Sequence, residues 1–193
     1  MQLFQGGIKM PPYQQDYQET FEIEAKNKQR DINILNQIFK NRYRFFNSED
    51  ELYQYNDCDM VARSLENPFD PKYTYYIDIK TSNKKARKWF IFELYIQYPS
   101  KEKFKSWSLH MPAGGSTILN KFLIAFLDEK QAVIIRRDRM IPVIKLIEKE
   151  RPDLIKSHKE YNKKGKKNLK YIISLSIDDD YFRMMQPKIF RAK

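Results

Sequence analysis

Asp57-Cys58-Asp59-Met60-Val61-Ala62-Arg63, a connection holding Pro68 and Pro71, then Tyr75-Tyr76-Ile77-Asp78-Ile79-Lys80-Thr81: this stretch decides how the chain is read. Side chains alternate between the faces of a strand, so the second run places Asp78 and Lys80 on one face and Ile77 and Ile79 on the other. Two prolines cannot both occupy central strand positions, and residues 64–73 are therefore expected to form a loop. If the first run is the neighbouring strand, Asp59 approaches Asp78. Two carboxylates beside an ammonium suit a divalent cation and a phosphate, the requirements of metal-assisted phosphodiester hydrolysis.

Working outward, residues 1–17 hold Gly6, Gly7, Pro11 and Pro12 without a period and read as an irregular arm preceding one domain over 18–193. Phe21, Ala25, Ile32, Leu35 and Phe39 recur at helical spacing and predict an amphipathic helix over 19–40. Glu24 stands on the margin of its apolar face, where it reads equally as an outer site carboxylate and as a surface charge. Gln29 lies near the same face, and Lys28 falls inside it, which argues for a later start. Residues 42–46 predict a first strand.

Downstream, residues 89–98 predict a strand with Glu93 as its inner carboxylate, read as an ion-pair partner for Lys or Arg ahead of a metal ligand. The runs 122–127 and 132–136 predict a hairpin that finishes the sheet. Pro142 is expected in the first turn of a helix reaching Glu150. Residues 156–170, rich in lysine around Gly165, are expected to form a basic loop, and 171–175 a last short strand. Asp178, Asp179 and Asp180 read as a helix N-terminus, because consecutive side chains diverge too far to share a metal.

Lys and Arg number 36 against 25 Asp and Glu, a net charge of +11, and the pI near 9.5 favours a polyanionic partner. Aromatic residues make up 15% and are available for stacking on bases. The basic run Lys84, Lys85, Arg87 and Lys88, together with Lys163, Lys164, Lys166 and Lys167, is expected to contact a phosphate backbone. Cys58 is the single cysteine, which excludes an intramolecular disulfide or a Cys-based zinc site and favours a reducing, cytoplasmic location. His110 and His158 have no partner at metal-ligand spacing. Gly114-Gly115-Ser116-Thr117 lacks the Gly-Lys-Ser/Thr ending of a P-loop. No run reaches the length of a membrane span, so no membrane partner is expected.

Asp-x-Val-Ala-Arg, a loop, then Ile-Asp-Ile-Lys-Thr resembles the core of the PD-(D/E)XK phosphodiesterase superfamily, the restriction-endonuclease-like fold shared with Holliday junction resolvases. The order of elements over about 20–180 is similar to that of small nucleases from phages and restriction systems, and the match is sharp at Asp59, Asp78 and Lys80. Asn56 or Asp57 stands where a proline is expected, and the second acid is Asp in place of the commoner Glu. The resemblance implies an α/β domain with a mixed central sheet flanked by helices, and an endonuclease hydrolysing DNA, with RNA also open. It implies Mg²⁺, or Mn²⁺, at Asp59, Asp78 and Ile79, with Lys80 orienting or activating the water and Glu24 as an outer ligand. It also implies that a homodimer can form, and a host-cell cytoplasmic setting if the source is viral. The rival expectations are a nucleic-acid-binding protein that keeps the fold and cuts nothing, and an interaction protein with acidic partners.

Overall fold

The computed structural model describes residues 27–47, 58–81, 88–98, 103–105, 121–129, 131–161 and 167–191. The protein is a mixed α/β structure built on two sheets. Helix α1 (27–38) precedes β1 (Tyr43–Asn47), β2 (Met60–Ser64), β3 (Thr74–Thr81), β4 (Trp89–Gln97) and β5 (Lys103–Lys105). Then come β6 (Phe122–Leu127), β7 (Gln131–Arg136), helix α2 (Arg137–Glu150), β8 (Ile155–Tyr161), β9 (Lys167–Ser176), the short helix α3 (Asp180–Met184) and β10 (Lys188–Arg191). The larger sheet has the order β1-β2-β3-β6-β7-β10 and the smaller β5-β4-β9-β8. The larger is mixed: β3 and β6 run parallel, and its other neighbours are antiparallel.

β6 reads Phe-Leu-Ile-Ala-Phe-Leu and is buried at every position, as expected of a strand covered on both faces. On one face Leu123, Ala125 and Leu127 join Leu35 of α1, Met60, Ala62 and Ile77. On the other, Ile124 and Phe126 pack with Phe90, Phe92 and Leu94 of β4, Ile173 and Leu175 of β9, and α2. Helix α2 buries Met140, Val143, Ile144 and Ile147, an i, i+3, i+4, i+7 stripe. The Tyr95 hydroxyl donates to Glu148 of α2, and burial followed by that bond pushes the phenol up to about 12. This tie fixes β4, and with it Glu93, over the larger sheet.

Helix α1 ends where Lys40 and Asn41 both take φ of 53° and the Asn41 N–H bonds the Asn36 carbonyl at 2.8 Å, a left-handed cap that turns the chain into β1. At the start of α2, Arg136 holds Asp138 in a two-pronged pair, Nε to Oδ1 at 3.0 Å and Nη2 to Oδ2 at 2.5 Å. That arrangement sets a carboxylate in the first turn. The helix therefore opens at Arg137, and Pro142 lies inside it, not in its first turn.

Two further expectations are corrected. The lysine-rich stretch 156–170 is largely strand: β8 and β9 form an antiparallel hairpin from Ile155↔Ile173 to Tyr161↔Lys167, with 162–166 outside the described residues. Lysines on both faces of β8 hide the alternation, and they suit an edge strand, where charge blocks pairing with another chain. The β6–β7 hairpin does not finish the sheet, because β10 adds to β7 and the smaller sheet covers part of one face beside α2. The Asp-rich segment behaves as expected, with Asp179 capping α3 by accepting the Tyr181 N–H at 2.8 Å. Among the described residues no helix is long and apolar enough to cross a membrane.

Candidate active site

Register brings the two aspartates together. β2 pairs antiparallel with β3 so that Met60 faces Ile77, and the preceding residue, Asp59, therefore stands opposite Asp78. The Asp59 N–H bonds the Ile77 carbonyl at 2.9 Å, and Asp59 Oδ2 accepts the Ile79 N–H at 2.6 Å. Its carboxylate is thus held against β3 although the residue is exposed. Asp78 is only 4% exposed, and Lys80, two residues on and hence on the same face, places Nζ 3.2 Å from Asp78 Oδ2. That Oδ2 is buried, with the ammonium as its ion-pair partner.

The smaller sheet supplies the facing wall. Asp78 and Lys80 line a cleft with Ile124 and Phe126 of β6 and Ile91 and Glu93 of β4. Glu93 pairs with Lys170 of β9 at 3.2 Å, the ion-pair role expected of it. Its charge also acts on Lys80. Charges of both signs thus line the cleft at Asp78, Lys80 and Glu93, with Lys170 holding Glu93 from β9.

Burial is the largest influence on Asp78 and pushes its carboxyl well above the usual range, with Asp59 adding to the rise and Lys80 opposing it. For Lys80 burial acts to lower the pKa, but Asp78, then Glu93 and Asp59, outweigh it and hold the ammonium above its ordinary value. Lys80 therefore carries its positive charge against Asp78. A carboxylate whose folded pKa is raised opposes folding once pH exceeds its unfolded value, and the penalty is complete above the folded pKa. Asp78→Asn should therefore melt at a higher temperature than the wild type without metal at neutral pH. The gap should close as pH falls toward the unfolded carboxylate range, and thermal melts across pH check it.

A divalent cation fits this geometry through Asp59 and Asp78. Ile79, whose side chain has no donor atom, can serve only through its main chain. Among the described residues no group of three or more His, Cys, Asp or Glu is arranged to hold a metal, so the two aspartates would need water or phosphate oxygens to complete the shell. Gln29 is exposed and donates to Asn33 at 3.1 Å, which engages it on the helix surface. Glu24, Lys84, Lys85, Arg87, Lys163, Lys164 and Lys166 lie outside the described residues. Lys88 and Lys167 are exposed but stand toward opposite ends of β9, since Trp89 pairs with Ser176 while Lys167 opens the strand.

Sequence reasoning missed a basic patch beside the acids. Phe46 pairs with Val61 and Arg44 with Arg63, and Val61 pairs with Tyr76, which puts Arg44, Phe46 and Arg63 on the same sheet face as Asp78. Both guanidiniums sit over the Phe46 ring, at 5.3 and 5.8 Å. The alternation of Arg44 and Phe46 was visible in the sequence, but only the β1–β2 register locates them. Asp31 was also missed: it is 3% exposed, pairs with Arg30 at 3.1 Å and accepts the Thr81 hydroxyl, anchoring α1 to the end of β3. No protein-family model, curated protein or solved structure matches the chain.

Proposed function

We propose that this protein is a metal-dependent nuclease of restriction-endonuclease-like type that hydrolyses phosphodiester bonds, with DNA as the substrate. The observation that carries the reading is Asp59 opposite Asp78 with Lys80 on the same face, beside a cleft that Asp78 and Lys80 line. Bound at Asp59, Asp78 and the Ile79 main chain, Mg²⁺ or Mn²⁺ would supply Lewis acidity for the phosphate and for water. Lys80 holds positive charge where negative charge grows on the phosphate oxygens. Asp78 keeps that ammonium in place, and Glu93 steadies it from the opposite wall. Asp59, fixed by the Ile79 N–H, is preorganised without needing to rotate into the site. The test is incubation of supercoiled plasmid, whose torsion exposes unpaired segments, of a single-stranded DNA circle and of an RNA of similar length, with purified protein plus Mg²⁺ or Mn²⁺. Nicking or linearisation of the plasmid is expected, and intact DNA under every metal condition would remove the reading.

The basic patch supports the same function by giving the backbone a path away from the acids. Arg63 lies four residues from Asp59, about 13 Å along the strand. Arg44→Ala should weaken DNA binding about threefold to tenfold irrespective of sequence and lower the salt slope by about 1. Anisotropy titrations at several salt concentrations measure both.

A further inference from the structure

β4 turns Phe90, Phe92 and Leu94 into the core, so Trp89, Ile91 and Glu93 share the opposite face. Trp89 is 60% exposed and Ile91 49% exposed. Large apolar side chains side by side in water at the rim of a polar cleft mark an interaction site more often than chance exposure. Their cross-strand partners on β9 are Ser176 and Ser174, too small to cover the indole and the isoleucine side chain. Ile91 itself lines the cleft with Asp78 and Lys80, and Trp89 stands two residues further out, about 7 Å along the strand. Lys88, beside it, is exposed.

A phosphate held at Asp78 and Lys80 brings its neighbouring nucleotide to the cleft rim. In a duplex that nucleotide's base is stacked and paired inside the helix, and its face cannot reach an external indole. An unpaired base can. We propose that Trp89, backed by Ile91, is a stacking platform for an unpaired nucleobase next to the phosphate in the cleft, so that the site takes single-stranded nucleic acid. The proposal rests on the phosphodiesterase reading of the cleft, and an indole suits any base because stacking does not depend on its hydrogen-bonding edge. The net charge of +11 favours this polyanionic occupant over a second copy of the chain, which carries the same positive charge.

The test uses the full chain with Ca²⁺ in place of Mg²⁺, so that the cleft is loaded while little cutting intervenes, with a fluorescent twelve-residue oligothymidylate as the probe. Trp89→Ala should bind it about 5- to 100-fold more weakly than wild type, with Trp89→Phe close to wild type. An oligonucleotide carrying an abasic site at each position should bind both proteins equally, and a blunt duplex of the same length should not distinguish them. The chain has two tryptophans, so in Trp107→Phe the remaining indole emission reports Trp89 and should be quenched saturably by the probe. Equal affinity of wild type and Trp89→Ala for the oligothymidylate would overturn the stacking proposal while leaving the nuclease reading intact. Absence of any oligonucleotide binding would overturn both, and quenching that follows protein concentration in place of probe would assign the patch to contact between copies.

Discussion

Asp78→Asn and Lys80→Ala should each lower the single-turnover cleavage rate by at least about a thousandfold while leaving the fold and most DNA affinity in place. Both side chains stand on one face of β3, 3.2 Å apart, and neither belongs to the apolar clusters that hold the sheets together. Asn keeps the shape of Asp but loses the charge that a divalent ion requires. Ala at 80 removes the only lysine that lines the cleft among the described residues. The two losses should be far from additive, because Asp78 positions the Lys80 ammonium and the pair acts as one unit. Circular dichroism and DNA anisotropy beside the rate measurements separate lost chemistry from lost structure. Wild-type rates in both variants would remove Asp78 and Lys80 from the reaction.

Divalent ions should stabilise the wild type by about 2.7 kcal/mol at a hundred times the dissociation constant, seen as a rise in Tm of about 5–10 °C. Asp59 and Asp78 face each other across β2 and β3, and the Asp59 charge raises the energy of the ionised Asp78. A cation relieves that repulsion only in the folded protein, where register holds the pair together. Asp59→Asn, which removes one ligand with little change of shape, should lose more than half of the rise. Ca²⁺ should stabilise the wild type and support DNA binding, yet promote little cutting because its looser coordination positions water poorly. Melting curves with each ion give the answer, and a wild-type Tm indifferent to Mg²⁺, Mn²⁺ and Ca²⁺ would contradict the metal assignment.

The acids and the lysine were legible because alternation is a local property. Ile77 and Ile79 mark one face of β3, and Asp78 and Lys80 fall together on the other. The pairing of β2 with β3 was likewise accessible, since a short loop joins them. Contacts made at long range were not. Glu93 reaches the cleft only because β4 leaves the larger sheet for a second one, and no residue in 89–98 announces that change of sheet. β8 and the start of β9 were read as a loop because Lys156, Lys159 and Lys170 mask a period that Ile155, Tyr171 and Ile173 carry. Arg44, Phe46 and Arg63 became neighbours of the acids through strand register, which the sequence specifies through packing across the whole sheet and not through any one segment. Pro142 misled for a different reason: its ring can sit in the first turn of a helix, but the Arg136–Asp138 pair opens this helix earlier.

The most direct measurement of the central claim is hydrolysis of a DNA oligonucleotide in ¹⁸O-labelled water with Mn²⁺, followed by mass spectrometry of the products. The wild type should yield cleaved strands with one ¹⁸O atom in the new terminal phosphate, whereas EDTA, or Asp78→Asn purified in the same way, should yield none. Labelled product in equal amount from wild type and Asp78→Asn, or no product from the wild type, would contradict a phosphodiesterase centred on Asp59, Asp78 and Lys80.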